Sequence, residues 1–458
     1  MQTLTDNNRK WWILAAVGGL GGMILLDETV VGIALPTIRT DLGMSDVSAH
    51  WAISAYLLVF SVLTASAGRI SDRIGLRASF VLGITIFGAA SLASGLADSG
   101  TMLIIARIFQ GVGSAIIFPL SVAAISNVFP PDQRGKALGM LATIGLVMFA
   151  AGPLLGGLLT ELISWRWIFW INLPFLGLIA FLFLSAWNIP TAKAEKNDTR
   201  FDITGFGTLV LGLTLMVIAI MQASSWDLPV TLGLLTAGIV LLFVFAANEH
   251  RVAEPLIKTD LFGSPTFLGS NYVLLAGQFC KFSLVIFVPL YLQDVLHMNP
   301  FVAGLALLVA VGASPVAAGP AGHFSDKLGA RRLTLISLSV ATMAMIWIGI
   351  CINWDSYIIM VPGLIVVGGS MPFFFVPPLR AIMSSVSEEN RGQAGGISTT
   401  SRLLGGTIGV AICSMLYTLT QQFQVVFLVT AAVMASGLLV AWLCIERPTR
   451  ANTDSPST

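Results

Sequence analysis

Charge is what this chain has least of. Of its 458 residues, 10% are Asp, Glu, Lys or Arg and 56% are hydrophobic, whereas a typical soluble domain carries about 25% charged residues. A water-soluble fold of this length could not hide so much apolar surface, so the scarcity of charge makes the bilayer the solvent. Cysteine is equally sparse. Cys280, Cys351, Cys413 and Cys444 lie in apolar runs without ligand-like spacing, so no metal or other cofactor is expected. No Gly-rich phosphate-binding loop is present, which excludes pumping driven directly by ATP within this chain alone. No polar stretch is long enough to house an enzyme. The net charge of +1 gives no reason to expect a nucleic-acid partner. A cleavable leader is not expected either: the first apolar run has a short basic flank but no small-residue cleavage site.

What the chain has is long apolar runs. A membrane-spanning helix needs about 20 mostly apolar residues. Such runs occur near 12–35, 48–68, 78–97, 101–127, 136–161, 166–187, 204–222, 229–248, 267–292, 300–322, 331–352, 356–384, 392–418 and 424–445, numbered here as spans 1–14. Alternate loops differ sharply in basic residues. Eighteen of the 24 Lys and Arg fall on one side, only Arg39 and Arg166 on the other, and Arg107, Lys281, Arg380 and Arg402 inside spans. The positive-inside rule then places both termini in the cytoplasm of a multi-pass inner-membrane protein. An even number of spans agrees.

The chain also repeats itself. "GRISDRIGLR" at 68–77 returns as "GHFSDKLGAR" at 322–331, an offset of 254 that pairs Gly68, Asp72, Gly75 and Arg77 with Gly322, Asp326, Gly329 and Arg331. Arg134-Gly135 returns as Arg391-Gly392. Each echo follows an even-numbered span. This is the pattern of transporters built from two parallel six-helix halves. The expected division is a first half at 1–190, two inserted spans with their linkers at 191–264, and a second half at 265–458. The linker 188–200 is polar.

Two acids interrupt span 1. In "MILLDETVVGIALP" (23–36), Asp27 lies nine residues before Pro36, about 13.5 Å along a helix and so near the bilayer midplane. An ionisable residue at that depth is a functional candidate by default. A carboxyl taken out of water holds its proton more tightly, the chemistry a proton-coupled transporter needs. Neighbours on a helix point about 100° apart, so Asp27 and Glu28 occupy different faces. One acid faces a cavity and the other is lodged against a neighbouring helix, near Arg107; the sequence leaves open which is which. Adding the repeat offset to Asp27 gives Lys281. An acid and a base thus stand at matching depth in spans 1 and 9. Either Asp27 or Glu28 meets Lys281 across the cavity, or Lys281 pairs within its own half.

Several motifs together resemble the major facilitator superfamily, specifically its 14-helix drug:proton antiporter branch. They are "GRISDRIGLR", "RIFQGVGSAIIFP" (107–119), "AGPLLGG" (151–157), "LDETVVGIALP" (26–36), "WRWIFWINLP" (165–174) and "RLLGGTIGVA" (402–411). The branch commonly has Asn where Gly32 stands and a neutral residue at Glu28, and Lys281 lies outside its common pattern. The resemblance implies an all-α polytopic fold, two six-helix halves plus two extra helices, with spans 1, 4, 9 and 12 lining a central cavity. It implies that Arg107 faces the interior of the first half and relays protonation from span 1, the alternative being a tie to backbone carbonyls. It implies an antiport role for Gly152, Pro153, Gly156 and Gly157.

Physical chemistry adds detail. Gly75 permits a tight loop, Arg73 and Arg77 stay in water, and Asp72 accepts from a helix N-terminus or an arginine. Gly68, Asp72, Arg73, Gly75, Arg77, Asp326 and Arg331 then form a conformational latch, or else simply hold the loop inside. The helix 5 glycines allow a neighbouring helix to approach, and Pro153 bends the helix. Tyr56, Gln110, Gln278 and Phe374 are further cavity candidates, together with Asp27, Glu28 and Lys281. For Arg402 a tie to backbone carbonyls is favoured. The expected function is export of amphipathic, cationic or zwitterionic small molecules in exchange for protons, by alternating access. The runner-up is a dedicated metabolite or siderophore exporter with anionic or zwitterionic cargo, and the rival from another class is a membrane receptor or enzyme.

Overall fold

The computed structural model describes residues 6–187, 202–252, 259–387 and 390–445; inside its helices, the side chains of 6–8, 65–73, 126, 131–132, 259 and 392 lie outside the description. The polar linker 188–200 and the side chains of Gly68, Asp72 and Arg73 therefore fall outside it. The described residues form helices joined by short loops, with no strand among them.

Fourteen helices are long and apolar enough to cross a membrane. They are Asp6–Asp41, Asp46–Ile74, Leu76–Gly95, Gly100–Val128 and Pro131–Leu162 (spans 1–5), Trp167–Ala186 (span 6), and Ile203–Gln222, Leu228–Glu249 and Pro265–Asp294 (spans 7–9). Pro300–Leu328 is span 10, and Ala330–Cys351, Tyr357–Ser384, Arg391–Thr420 and Phe423–Cys444 are spans 11–14. Each coincides with an apolar run. Helices overshoot the runs where polar residues extend them, as at both ends of span 1, because nothing in the backbone ends a helix at the edge of the hydrocarbon. Local chemistry sets several starts: Ser99, Ser264 and Asn299 accept from Met102, Phe267 and Val302 amides as N-caps.

The repeat is visible in the backbone. Gly75 has φ 85° and ψ 151°, and Gly329 has φ 77° and ψ 156°, a region only glycine adopts without strain. Each ends one span and starts the next at the same place in the two copies. The packing repeats as well. Span 1 lies along span 5 as span 9 lies along span 13, and spans 2 and 3 pack on span 4 as spans 10 and 11 pack on span 12. The same device makes both long pairings close. A Cβ on Gly156 would lie 2.8 Å from the Val30 carbonyl oxygen, and one on Gly409 would lie 3.0 Å from Phe279 Cα.

Spans 1 and 9 are the most enclosed, and they touch. Each is apolar all round, as a helix in a protein core must be. The two sets of helices also meet where span 2 packs on span 13 and where span 5 packs on span 10. The inserted pair sits at the first of these seams: Val217 and Met221 of span 7 pack with Leu58, Val62 and Ala411. Span 8 docks on span 7 where Gly212 and Gly238 bring the backbones together.

Candidate transport site

The two acids of span 1 point into different surroundings. Asp27 is fully buried and belongs to a network within spans 1–6. Arg107 donates through Nη1 to Asp27 Oδ2 at 2.5 Å and to Gln110 Oε1 at 2.7 Å, and through Nε to the Ala52 carbonyl at 2.9 Å. Gln110 Nε2 donates to Asp27 Oδ1 at 3.2 Å and to Ser91 Oγ at 2.9 Å, and Asn172 Nδ2 reaches the same Oγ at 3.4 Å. Tyr56 lies under the guanidinium, 4.1 Å from ring centroid to Cζ, and its hydroxyl is bonded to Ser114 Oγ at 3.0 Å. Tyr56 and Gln110 are thus walls of a closed polar core, both with no exposed surface. Arg107 thus meets both an acid of span 1 and a backbone carbonyl.

Glu28 points the other way, across to span 9. Lys281 Nζ donates to Glu28 Oε2 at 2.7 Å, with the Phe149 and Phe282 rings 4.5 Å and 4.9 Å from the ammonium. The side chains are 1% and 7% exposed, so this pair is desolvated. Gly32, one turn on, lets span 9 come close: a Cβ there would lie 2.7 Å from the Val285 carbonyl oxygen. Asp27 is therefore the acid lodged beside Arg107, and Glu28 is the acid that meets Lys281. Arg402 of span 13 lies within electrostatic reach of Glu28 and Lys281 and sits over the Phe375 ring at 5.4 Å. It is not tied to a backbone carbonyl among the described residues, and its Nε has no partner, contrary to the reading favoured from sequence. Gln278, one turn before Lys281, is 1% exposed with Oε1 unpartnered.

A family model described as Major Facilitator Superfamily matches residues 17–410, and again 273–458. The chain belongs to the major facilitator superfamily. It is therefore a membrane transporter and not an enzyme. A relative is the puromycin resistance protein of Streptomyces alboniger, 33% identical over 421 residues that make up 90% of this chain and 82% of that protein. The tetracenomycin C resistance and export protein of Streptomyces glaucescens is 30% identical over 412 residues, 89% of this chain and 76% of that one. Among solved structures, a D-xylose-proton symporter matches with a TM-score of 0.70 at 15% identity, over 95% of this chain and 98% of that one, a likeness of fold.

The remaining motifs of this facilitator can now be placed. Gly152 and Gly156 face Thr29 and Val30 of span 1, while Gly157 faces span 10, where a Cβ would lie 2.5 Å from the Pro300 carbonyl oxygen. Gly304 of span 10 faces Pro153 in turn. Pro153 and Gly157 thus lie at a seam between the two sets of helices at the end of the bundle away from the chain termini. Polar contacts tie that distal end: Arg39 donates to Asp294 at 3.0 Å and to Asp46 at 2.7 Å, and Gln293 Nε2 donates to the Ile33 carbonyl at 2.8 Å. Trp165 and Arg166 both donate to Asp41, at 2.8 Å and 2.9 Å. At the terminal end Asp326 pairs with Arg380, Arg331 donates to the Trp442 carbonyl at 2.6 Å, and Arg77 is exposed.

Phe374 is corrected from cavity wall to packing residue. It is fully buried, with its ring against Gly277 of span 9. Sequence reading also missed members of the site. Asn172 was inside a recognised motif, but its aromatic neighbours hid the amide's role. Phe149 and Ser91 carry no sequence signal, because what they touch is decided by helix packing.

Proposed function

We propose that this facilitator exports amphipathic small molecules across a bacterial inner membrane in exchange for protons, by alternating access, with both termini cytoplasmic. The observation that carries the reading is the Glu28–Lys281 pair, because its partners stand on different sets of six helices. Rocking one set against the other separates them. A carboxylate left in that apolar place is costly, and taking a proton removes its charge. Separation and protonation at Glu28 therefore favour each other. Asp27 behaves differently: its partners Arg107 and Gln110 lie in the same set of helices and travel with it. It holds the Arg107 cation away from Glu28.

The contacts of the distal end support a cytoplasm-facing state. Arg39, Asp294, Gln293 and the Gly157–Pro300 seam close that end, whereas Gly139 of span 5 and Gly319 of span 10, nearer the terminal end, have open space around them. In this state Glu28 has given its proton to the cytoplasm and is held by Lys281. The names of the resistance and export relatives support the outward direction and the small-molecule cargo. The partners are the bilayer, protons and cargo.

The test is pH-jump efflux from proteoliposomes carrying the purified full chain and a panel of amphipathic amines, carboxylates and zwitterions. An acidic exterior should drive cargo out. Glu28→Gln should abolish this pH-driven efflux yet retain exchange of labelled for unlabelled cargo. Normal pH-driven efflux in Glu28→Gln would show that the proton is carried elsewhere.

A further inference from the structure

The charges between spans 1, 9 and 13 do not cancel. Asp27 and Arg107 neutralise each other. That leaves one carboxylate, Glu28, against two cations, Lys281 and Arg402. Among the described residues between Pro265 and Cys444 the acids are Asp294, Asp326 and Asp355, all at span ends or in loops. Glu28 is the carboxylate whose field reaches Arg402. Arg402 lies eleven residues into span 13, about 16 Å along the helix, and is partly exposed. A guanidinium at that depth with a free Nε calls for an anion.

The surroundings are those of a ligand site. Gln278 is 1% exposed and makes no hydrogen bond among the described residues. It faces span 13 at Gly406, where a Cβ would lie 3.4 Å from Gln278 Cγ. Phe375 lies against the guanidinium, and Phe149 and Phe282 flank the ammonium. Apolar walls with a few convergent polar groups are how small-molecule sites are built.

We propose that Arg402, Gln278 and Lys281 form an anion subsite next to Glu28, so that the cargo is an amphipathic zwitterion: its carboxylate docks on Arg402 and its ammonium replaces Lys281 at Glu28. This rests on proton-for-cargo exchange at Glu28. A purely anionic cargo would bind best when Glu28 is protonated, which couples cargo and proton in the same direction. The ammonium competes with the proton instead: it takes its place at Glu28 only once the proton has left to the cytoplasm. One cargo thereby satisfies both the excess cation and the exchange.

Three matched probes decide it: O-butyltyrosine, O-butyltyramine, which lacks the carboxylate, and 3-(4-butoxyphenyl)propanoate, which lacks the amine. Binding is measured on the purified full chain in nanodiscs by calorimetry. Removing a hydrogen bond to a charged group lowers affinity by about tenfold to a hundredfold, so the zwitterion should bind that much tighter than either monopole. Arg402→Gln should erase its advantage over the tyramine. Arg402→Lys should retain part of the advantage. Tighter binding of the tyramine or propanoate than of O-butyltyrosine by wild type would overturn the proposal, with no variant needed. Equal losses for all three probes in Arg402→Gln would overturn it too. Zwitterion selectivity without pH-driven efflux would sink proton exchange alone; pH-driven efflux without the selectivity would sink the subsite alone.

Discussion

Replacing Lys281 with methionine keeps the length of the side chain and removes its charge. The N···O distance to Glu28 is 2.7 Å, and Coulomb's law at that distance with an effective dielectric of about 20 gives an attraction of about 6 kcal/mol. Desolvating both ions offsets much of this. The measurable quantity is the cost of orphaning one partner, about 3–5 kcal/mol for a buried pair. Both side chains are less than a tenth exposed, so water does not screen the orphan. Lys281→Met should therefore lower stability by that amount at alkaline pH, where Glu28 is a bare carboxylate. The loss should shrink as pH falls, because a protonated Glu28 carries no charge to orphan. The double variant Glu28→Gln/Lys281→Met leaves neither member of the pair facing an absent partner and should lie within about 1–2 kcal/mol of wild type at every pH. Thermal unfolding in mild detergent across a pH series reads this cycle. A pH-independent loss in Lys281→Met, or a double variant as unstable as the two single losses summed, would refute the reasoning.

Asp27→Asn orphans a guanidinium that stays charged at every accessible pH, so its cost of about 3–5 kcal/mol should be flat across the same titration; relief at low pH would mean that Arg107 has another acceptor. Gly157→Ala puts a methyl 2.5 Å from the Pro300 carbonyl oxygen and should slow transport by preventing closure of the distal end, while Gly139→Ala, with open space around it, should transport as wild type; equal rates in the two variants would remove the seam from the mechanism. Asp294→Asn breaks a pair that is about a quarter exposed on each side, so overall stability should fall by under about 1 kcal/mol. Spin labels at Leu42 and Leu296 should nevertheless report longer distances as the distal end opens, and an unchanged distance distribution would count against a gate there.

Fold and site were legible to different depths in the sequence. A run of about 20 apolar residues is a one-dimensional signal, so each span can be read without knowing its neighbours. The matching depth of the acid pair Asp27–Glu28 and Lys281 was also legible, because the repeat offset carries one half onto the other. The pairing was not. A separation of about 100° between Asp27 and Glu28 assigns two faces, but which face meets span 4 and which meets span 9 depends on how span 1 is rotated in the bundle. That rotation is set by contacts such as Gly156 on Val30 and Gly32 on Val285, whose partners are far apart in sequence. Phe374 illustrates the same limit. It stands among the cavity candidates in the sequence, yet its ring fills the space left by a missing side chain at Gly277.

Two adjacent acids divide the labour that one could not perform. A carboxylate within reach of Arg107 is held by a cation of its own half in every conformation, so its charge is indifferent to whether the halves are open or closed. A carboxylate within reach of Lys281 is held only while the halves are together, so its proton affinity follows the conformation. On a single helix the two environments must be about 100° apart at one depth, and adjacent positions supply that angle. Without Asp27, the Arg107 cation would stand unneutralised beside span 1, and its field would act on Glu28 in every conformation. The hold on the Glu28 carboxylate would then depend less on whether the halves are together. On this reading Asp27 keeps Glu28 available to the other half, and an Asp27 variant should uncouple the proton without touching the residue that carries it.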